Sequence, residues 1–201
     1  MHRAPIRVSL AAAAALVGVG ALAPARAAER YRLDQGNSTI HFSVGTIGFF
    51  RATGHFTRFD AKLVIDPGHP TRTRVSVTIP AASITTPWAQ ESAMIRAADF
   101  LDIARHRTIR FISGNVTALA PGRYAVHGRL TLRGVTRPVT LTARLVKSAT
   151  DPKSGDAIDD FTVGGTIRRK AFDITADPLF IDDRVRIVIH ARILIRPPGD
   201  G

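Results

Sequence analysis

The sequence predicts an all-β protein: a single antiparallel barrel of eight or so strands with one short helical insertion. Three observations point there. Apolar and polar side chains alternate with a period of two along most of the chain; Gly, Pro, Asn and Asp punctuate that alternation; and the sequence has neither a βαβ rhythm nor an internal repeat. Strands of this kind bury one face and wet the other, so they share one interior. A two-sheet sandwich is the alternative packing of the same strands.

The first 27 residues stand apart. Arg3 and Arg7 flank a basic start, Val8 to Ala23 is apolar or small throughout, and Ala25-Arg26-Ala27 has the small-residue pattern of a cleavage site. This reads as a cleavable secretory signal, residues 1–27, too short and too rich in Ala and Gly to span a bilayer. Residues 28–201 then make one domain, exported to the periplasm. The chain has no cysteine, so burial alone must hold it together. The formal net charge of +12 falls to +9 without Arg3, Arg7 and Arg26. No basic block and no nucleic-acid motif accompanies that charge, so nucleic acid is not an expected partner. Peripheral contact with an anionic membrane surface is compatible with it.

Strands are expected near 30–33, 39–48, 51–66, 73–81, 107–119, 123–133, 137–148, 159–169 and 184–195. The clearest alternation sets Tyr124, Val126, Gly128, Leu130 and Leu132 against Arg123, His127, Arg129 and Thr131. Val75, Val77 and Ile79 repeat it, as do Val139, Leu141 and Ala143, and then Val185, Ile187, Ile189, Ala191 and Ile193. Within 51–66 the inward parity slips by one residue at Thr57-Arg58, which a β-bulge or bend would absorb. From Ala89 to Ala104, Met94, Ala97, Ala98 and Leu101 recur at three- and four-residue spacing and predict the helix.

Chemistry is sparse. No G-x-S-x-G, P-loop or G-x-G-x-x-G follows the signal, and the histidines are scattered singly, so neither a cofactor nor a metal is expected. Asp159-Asp160 and Asp182-Asp183 read as loop carboxylates facing water. An enzyme acting on an apolar substrate would have to draw on Thr46, Ser92, Asp99 or Arg168, which pair no nucleophile with a base. The aromatic residues lie mainly in strands and around the helix. They either fill the barrel or line a tunnel, in which Gly128, Gly165 and Ala143 leave room along the axis.

The stretch Gly128-Arg129-Leu130-Thr131-Leu132-Arg133-Gly134-Val135-Thr136-Arg137-Pro138-Val139-Thr140-Leu141 resembles the YceI-like family of bacterial periplasmic lipid-binding proteins. Supporting segments run in order through the chain: Ile40 to Val44, Gly54-His55-Phe56, Ala82 to Thr86, Ala98 to Asp102, Ile109-Arg110-Phe111, and Phe161 to Phe172. The resemblance implies a lipocalin-like barrel with a long pore that holds an isoprenoid or fatty-acyl lipid, isoprenoid-tailed quinones included, and no catalytic residue. Parity and family position together assign Phe42, Val44, Phe49, Phe56, Ile84, Met94, Phe100, Leu101, Phe111 and Phe161 to the pore lining. Thr46 stands where many members have a histidine, Glu91-Ser92 where they have Arg-Asp, and Met94 where they have a second histidine. Thr46 and Ser92 are therefore the headgroup candidates, and the headgroup accepted should differ from that of such members.

Overall fold

The computed structural model describes residues 30–152 and 154–196, so the expected secretory segment, 1–27, lies outside the described residues. Eleven antiparallel strands form one sheet: β1 (Arg30–Leu33), β2 (Thr39–Thr46), β3 (Arg51–Phe56), β4 (Asp60–Val64), β5 (Arg74–Pro80), β6 (Ile84–Thr85), β7 (Thr108–Ala120), β8 (Arg123–Leu132), β9 (Val135–Thr150), β10 (Ala157–Arg168) and β11 (Ile181–Arg196). Helix α1 (Ala89–Arg96) follows β6. The hydrogen-bonded order is β4-β5-β7-β8-β9-β10-β11-β2-β3-β6, with β1 also on β11. Every strand sends a side chain into one interior, so the sheet is curled around it and is not a two-sheet sandwich.

The count of eight or so is corrected to eleven among the described residues: the nine expected runs hold, except that 51–66 divides in two, and β6 is new. β1 and β2 follow each other along the same edge of β11, Leu33 opposite Ile193 and Thr39 opposite His190. The 51–66 run breaks where its parity slips: β3 pairs with β2 and β6, whereas β4 pairs with β5. Ser83 pins the break. Its carbonyl accepts the Thr57 N–H at 3.0 Å, and its hydroxyl proton is shared between the Pro80 carbonyl at 2.7 Å and the Arg58 carbonyl at 3.1 Å. The ladder thus ends at β4 and β6, and the chain itself, through Thr57–Phe59, carries the barrel wall between β3 and β4.

The β8–β9 hairpin shows how local chemistry sets register. Arg133 and Gly134 both have positive φ, 49° and 75°, which makes a two-residue turn of the twisted type that hairpins favour. Val135 and Thr136, between the expected strands 123–133 and 137–148, already belong to β9. Counting from the closing Leu132–Val135 pair, the Arg129–Pro138 pair falls at a position without ladder hydrogen bonds. The proline nitrogen therefore faces away from β8, on the side where β10 has not begun to pair; its ladder with β9 starts at Thr142.

Helix α1 stops at Arg96, short of the expected Ala104. Phe100 and Leu101 are neighbours in sequence and both buried, yet a continuing helix would point them about 100° apart. The turns after Ala97 let both side chains enter the barrel, and the Asp102 carbonyl accepts the Arg105 and His106 N–H groups at 3.1 and 2.8 Å.

Candidate ligand cavity

The inward parities of all strands meet in one cavity of about 640 Å³, within the range of ligand pockets. Near α1 the wall is densest: Ile84, Phe100, Leu101, Leu130, Leu132, Ile167 and Ile174 are buried yet line the cavity, and buried Phe172 belongs to the same cluster. Other inward side chains are of a different kind. Phe56, Phe161, Val163, Val185, Ile187 and Ile189 point away from the outer solvent and line the cavity, yet each is only half-buried. An inward apolar side chain that keeps accessible surface faces a void. The cavity is thus bounded by buried side chains such as Ile84 and Leu130 and by half-buried ones such as Phe161 and Ile187.

Its wall is apolar along its length and polar at the two ends. Toward the β4–β5 loop stand Asp66, Thr73 and Asp159; toward α1 stand Glu91 and Arg169. Most of these groups already have partners. Thr73 Oγ1 accepts the Asp66 N–H at 3.2 Å, and Asp159 Oδ1 accepts the Ser148 hydroxyl at 2.5 Å. Arg169 is 4 % exposed and donates to four backbone carbonyls: Nε to Asp182 at 2.9 Å, Nη1 to Ile174 and Ala176 at 3.1 and 2.6 Å, and Nη2 to Ile181 at 2.8 Å. This arginine ties the loop between β10 and β11 to the barrel end.

Nine of the ten expected lining residues stand on the cavity wall: Phe42, Val44, Phe56, Ile84, Met94, Phe100, Leu101, Phe111 and Phe161. Phe49 does not. β2 ends at Thr46, Gly48 turns the chain with φ 71°, and Phe49 projects fully into solvent because strand alternation no longer governs it. Neither headgroup candidate faces the cavity. The Ser92 hydroxyl, 3 % exposed, accepts the Thr86 N–H at 2.9 Å, bonds the Thr86 hydroxyl at 2.9 Å and donates to the Trp88 carbonyl at 3.2 Å, so it closes the turn into α1. Thr46 lines a separate groove with Arg51, Thr53, Pro87 and Trp88. Of the other polar groups considered, Asp99 is exposed and Arg168 pairs loosely with Asp183 at 3.9 Å.

Two further expectations are revised. Gly128 and Gly165 do not leave axial room, since a Cβ on Gly128 would sit 2.5 Å from the Phe111 ring and one on Gly165 2.4 Å from Leu141 Cδ2. Larger neighbours lie over both glycines. Asp159 and Asp160 belong to β10, and Asp182 and Asp183 to β11. Asp160 points outward into a two-bonded pair with Arg192, at 2.8 and 3.1 Å, and the hydrogen bond from that arginine holds its carboxyl below the usual range.

Glu91 and Arg169 were not expected on the wall. The parity of β10 held a signal for the second, because Phe161, Val163 and Ile167 lead in steps of two to Arg169. Three histidines, His41, His55 and His190, lie near one another on β2, β3 and β11. His41 and His55 are cross-strand partners with ring centres 5.6 Å apart, and partial burial, then His55 and His190, lower the His41 pKa.

The same architecture occurs in known proteins. A family profile described as YceI-like domain matches residues 31–193. A UPF0312 protein of Ectopseudomonas mendocina is 35 % identical over 169 residues, covering 83 % of this chain and 88 % of the relative. One of Serratia proteamaculans is 37 % identical over 172 residues, covering 85 % and 86 %. Among solved structures, Burkholderia cenocepacia BcnA superimposes with a TM-score of 0.72 at 21 % identity, over 80 % of this chain and 98 % of that one. A polyisoprenoid binding domain from Saccharophagus degradans gives 0.59 at 15 % identity, over 83 % and 98 %.

Proposed function

The chain belongs to the YceI-like domain family, and from that premise we propose that it is an exported periplasmic protein that binds and carries a long-chain amphiphilic lipid of the isoprenoid or fatty-acyl class, isoprenoid quinones included. One observation carries the reading: a continuous run of inward, half-buried apolar side chains around a cavity of about 640 Å³. Each methylene moved there from water contributes about 0.8 kcal/mol, so an apolar chain binds through burial with few polar contacts. The polar groups at the two ends leave the middle of the wall to that chain. The likeness in fold to a polyisoprenoid binding domain of Saccharophagus degradans supports the same ligand class.

Binding is favoured over catalysis because Thr46, Ser92, Asp99 and Arg168 are not brought together on the wall, and Glu91 lies at the end opposite Asp66 and Asp159, the latter already bonded to Ser148. The test is a titration of the purified, delipidated protein with prenyl alcohols and fatty acids of increasing length. Saturable uptake that strengthens with chain length is the expected result. No uptake at any length, or turnover of the added lipid, would overturn the proposal.

A further inference from the structure

Six large apolar side chains cluster outside the barrel at the α1 end, each more than half exposed: Ile47, Phe49 and Phe50 in the β2–β3 turn, Trp88 before α1, and Leu179 and Phe180 before β11. The turns that carry them are joined. The Ile47 N–H donates to the Phe180 carbonyl at 3.0 Å and the Thr46 N–H to the Phe50 carbonyl at 2.9 Å, while Gly48 and Asp177, with φ 71° and 47°, tighten each turn. Trp88 stands across the Thr46–Arg51 groove from the first turn. Packing explains none of these exposures, and contiguous apolar patches of this kind mark interaction sites.

The cavity reaches the surface at the same place. Ala52 and Glu91 line both the groove and the cavity, and Met94 lines the cavity while 42 % exposed. We propose that these turns are a bilayer docking tip, which inserts its aromatic side chains into the membrane interface so that lipid can pass between the bilayer and the cavity beside Met94. The proposal rests on the lipid-carrier reading and names its partner.

A bilayer fits better than a second copy of the chain. The apolar groups sit on projecting turns, whereas a stable dimer needs roughly 800 Å² of complementary surface on each partner. Phe and Trp on turns suit shallow insertion of about 5–10 Å. The rest of the barrel stays out of the bilayer, because Arg184, Arg186 and Arg196 stand exposed along the outer face of β11. No helix among the described residues is long and apolar enough to cross a membrane. Along the sequence these turns are flanked by both signs of charge, Arg51, Arg168, Lys170 and Arg184 with Glu91, Asp177, Asp182 and Asp183, so apolar insertion drives docking and anionic headgroups are not required.

The test is flotation of the purified protein with vesicles of phosphatidylcholine alone and of phosphatidylcholine with phosphatidylglycerol, for wild type, F49S/F50S and L179S/F180S. Circular dichroism confirms folding and organic extraction measures bound lipid. Wild type should float with both vesicle types, little affected by salt, and each double variant should partition at least about tenfold more weakly. Equal flotation of wild type and variants, or none for wild type, overturns the docking tip. So does a concentration-dependent dimer that the same substitutions dissolve without any flotation. Extraction reads the carrier function separately: an empty extract with tip-dependent flotation fails that function and leaves the docking tip standing.

Discussion

The Phe111 ring lies over Gly128, so close that a Cβ there would stand 2.5 Å from Phe111 Cζ and 2.6 Å from the Ile112 carbonyl. The same arrangement recurs where Phe42 covers Gly54, its direct partner on the neighbouring strand. In both places the missing Cβ is what admits the aromatic ring over the neighbouring strand.

Gly128→Ala should therefore cost about 1–3 kcal/mol, because one of the atoms in its way is backbone and cannot swing aside. Gly165→Ala should cost less. Its close neighbour is the flexible end of Leu141, with the Thr140 carbonyl farther off at 3.5 Å. Urea unfolding of the two variants checks the order.

Enlarging half-buried wall residues should separate capacity from stability. Val163→Phe and Ile187→Phe place added atoms in the void, so folding stability should hold within about 1 kcal/mol while lipid uptake falls. Leu130→Phe, at a buried position, should instead lose about 1–3 kcal/mol by overpacking. Thermal melts and prenyl-lipid titrations on the same preparations make the comparison.

Arg169→Met removes the donor shared by four carbonyls. The buried oxygens left without partners should cost about 3 kcal/mol or more, with the loop between β10 and β11 opening first. Hydrogen exchange at Ile174 and Ile181, whose amides donate to the Arg169 and Asp177 carbonyls, measures that opening. Unchanged exchange would remove the tethering role.

Acid should act in two stages. The His41 pKa is lowered in the folded protein, first by burial and then by His55 and His190, so the unfolded chain takes up that proton first and stability falls as pH drops through 6.5. His41→Gln should remove this first decline. The Asp160 pKa is lowered as well, chiefly by its hydrogen bond from Arg192, so its contribution is intact above 3.8 and is lost as pH falls through the lower folded value. Asp160→Asn should flatten that second decline. Melting temperature against pH resolves both.

Much of the barrel was legible because period-two alternation reports a shared interior directly. The inward sets of β5, β8 and β11, from Val75 to Ile193, stand on the cavity wall as expected. What alternation could not report was where a strand changes partner. The slip at Thr57-Arg58 was visible, but its resolution into β3 and β4 depends on Ser83, 25 residues beyond Arg58. Phe49 misled because parity was carried past Thr46 into a turn. Ser92 misled because a position inherited from a family pattern does not disclose that its hydroxyl is spent on Thr86 and Trp88. The exposed turns are an absence of packing, which only the assembled structure can display.

The most direct measurement is a native mass spectrum of the gently purified protein, paired with its organic extract. One long-chain amphiphile bound per chain, lost from Val163→Phe and Ile187→Phe but retained by F49S/F50S, is the expected result. A folded wild-type protein that carries nothing and takes up no prenyl or fatty-acyl lipid would contradict lipid carriage.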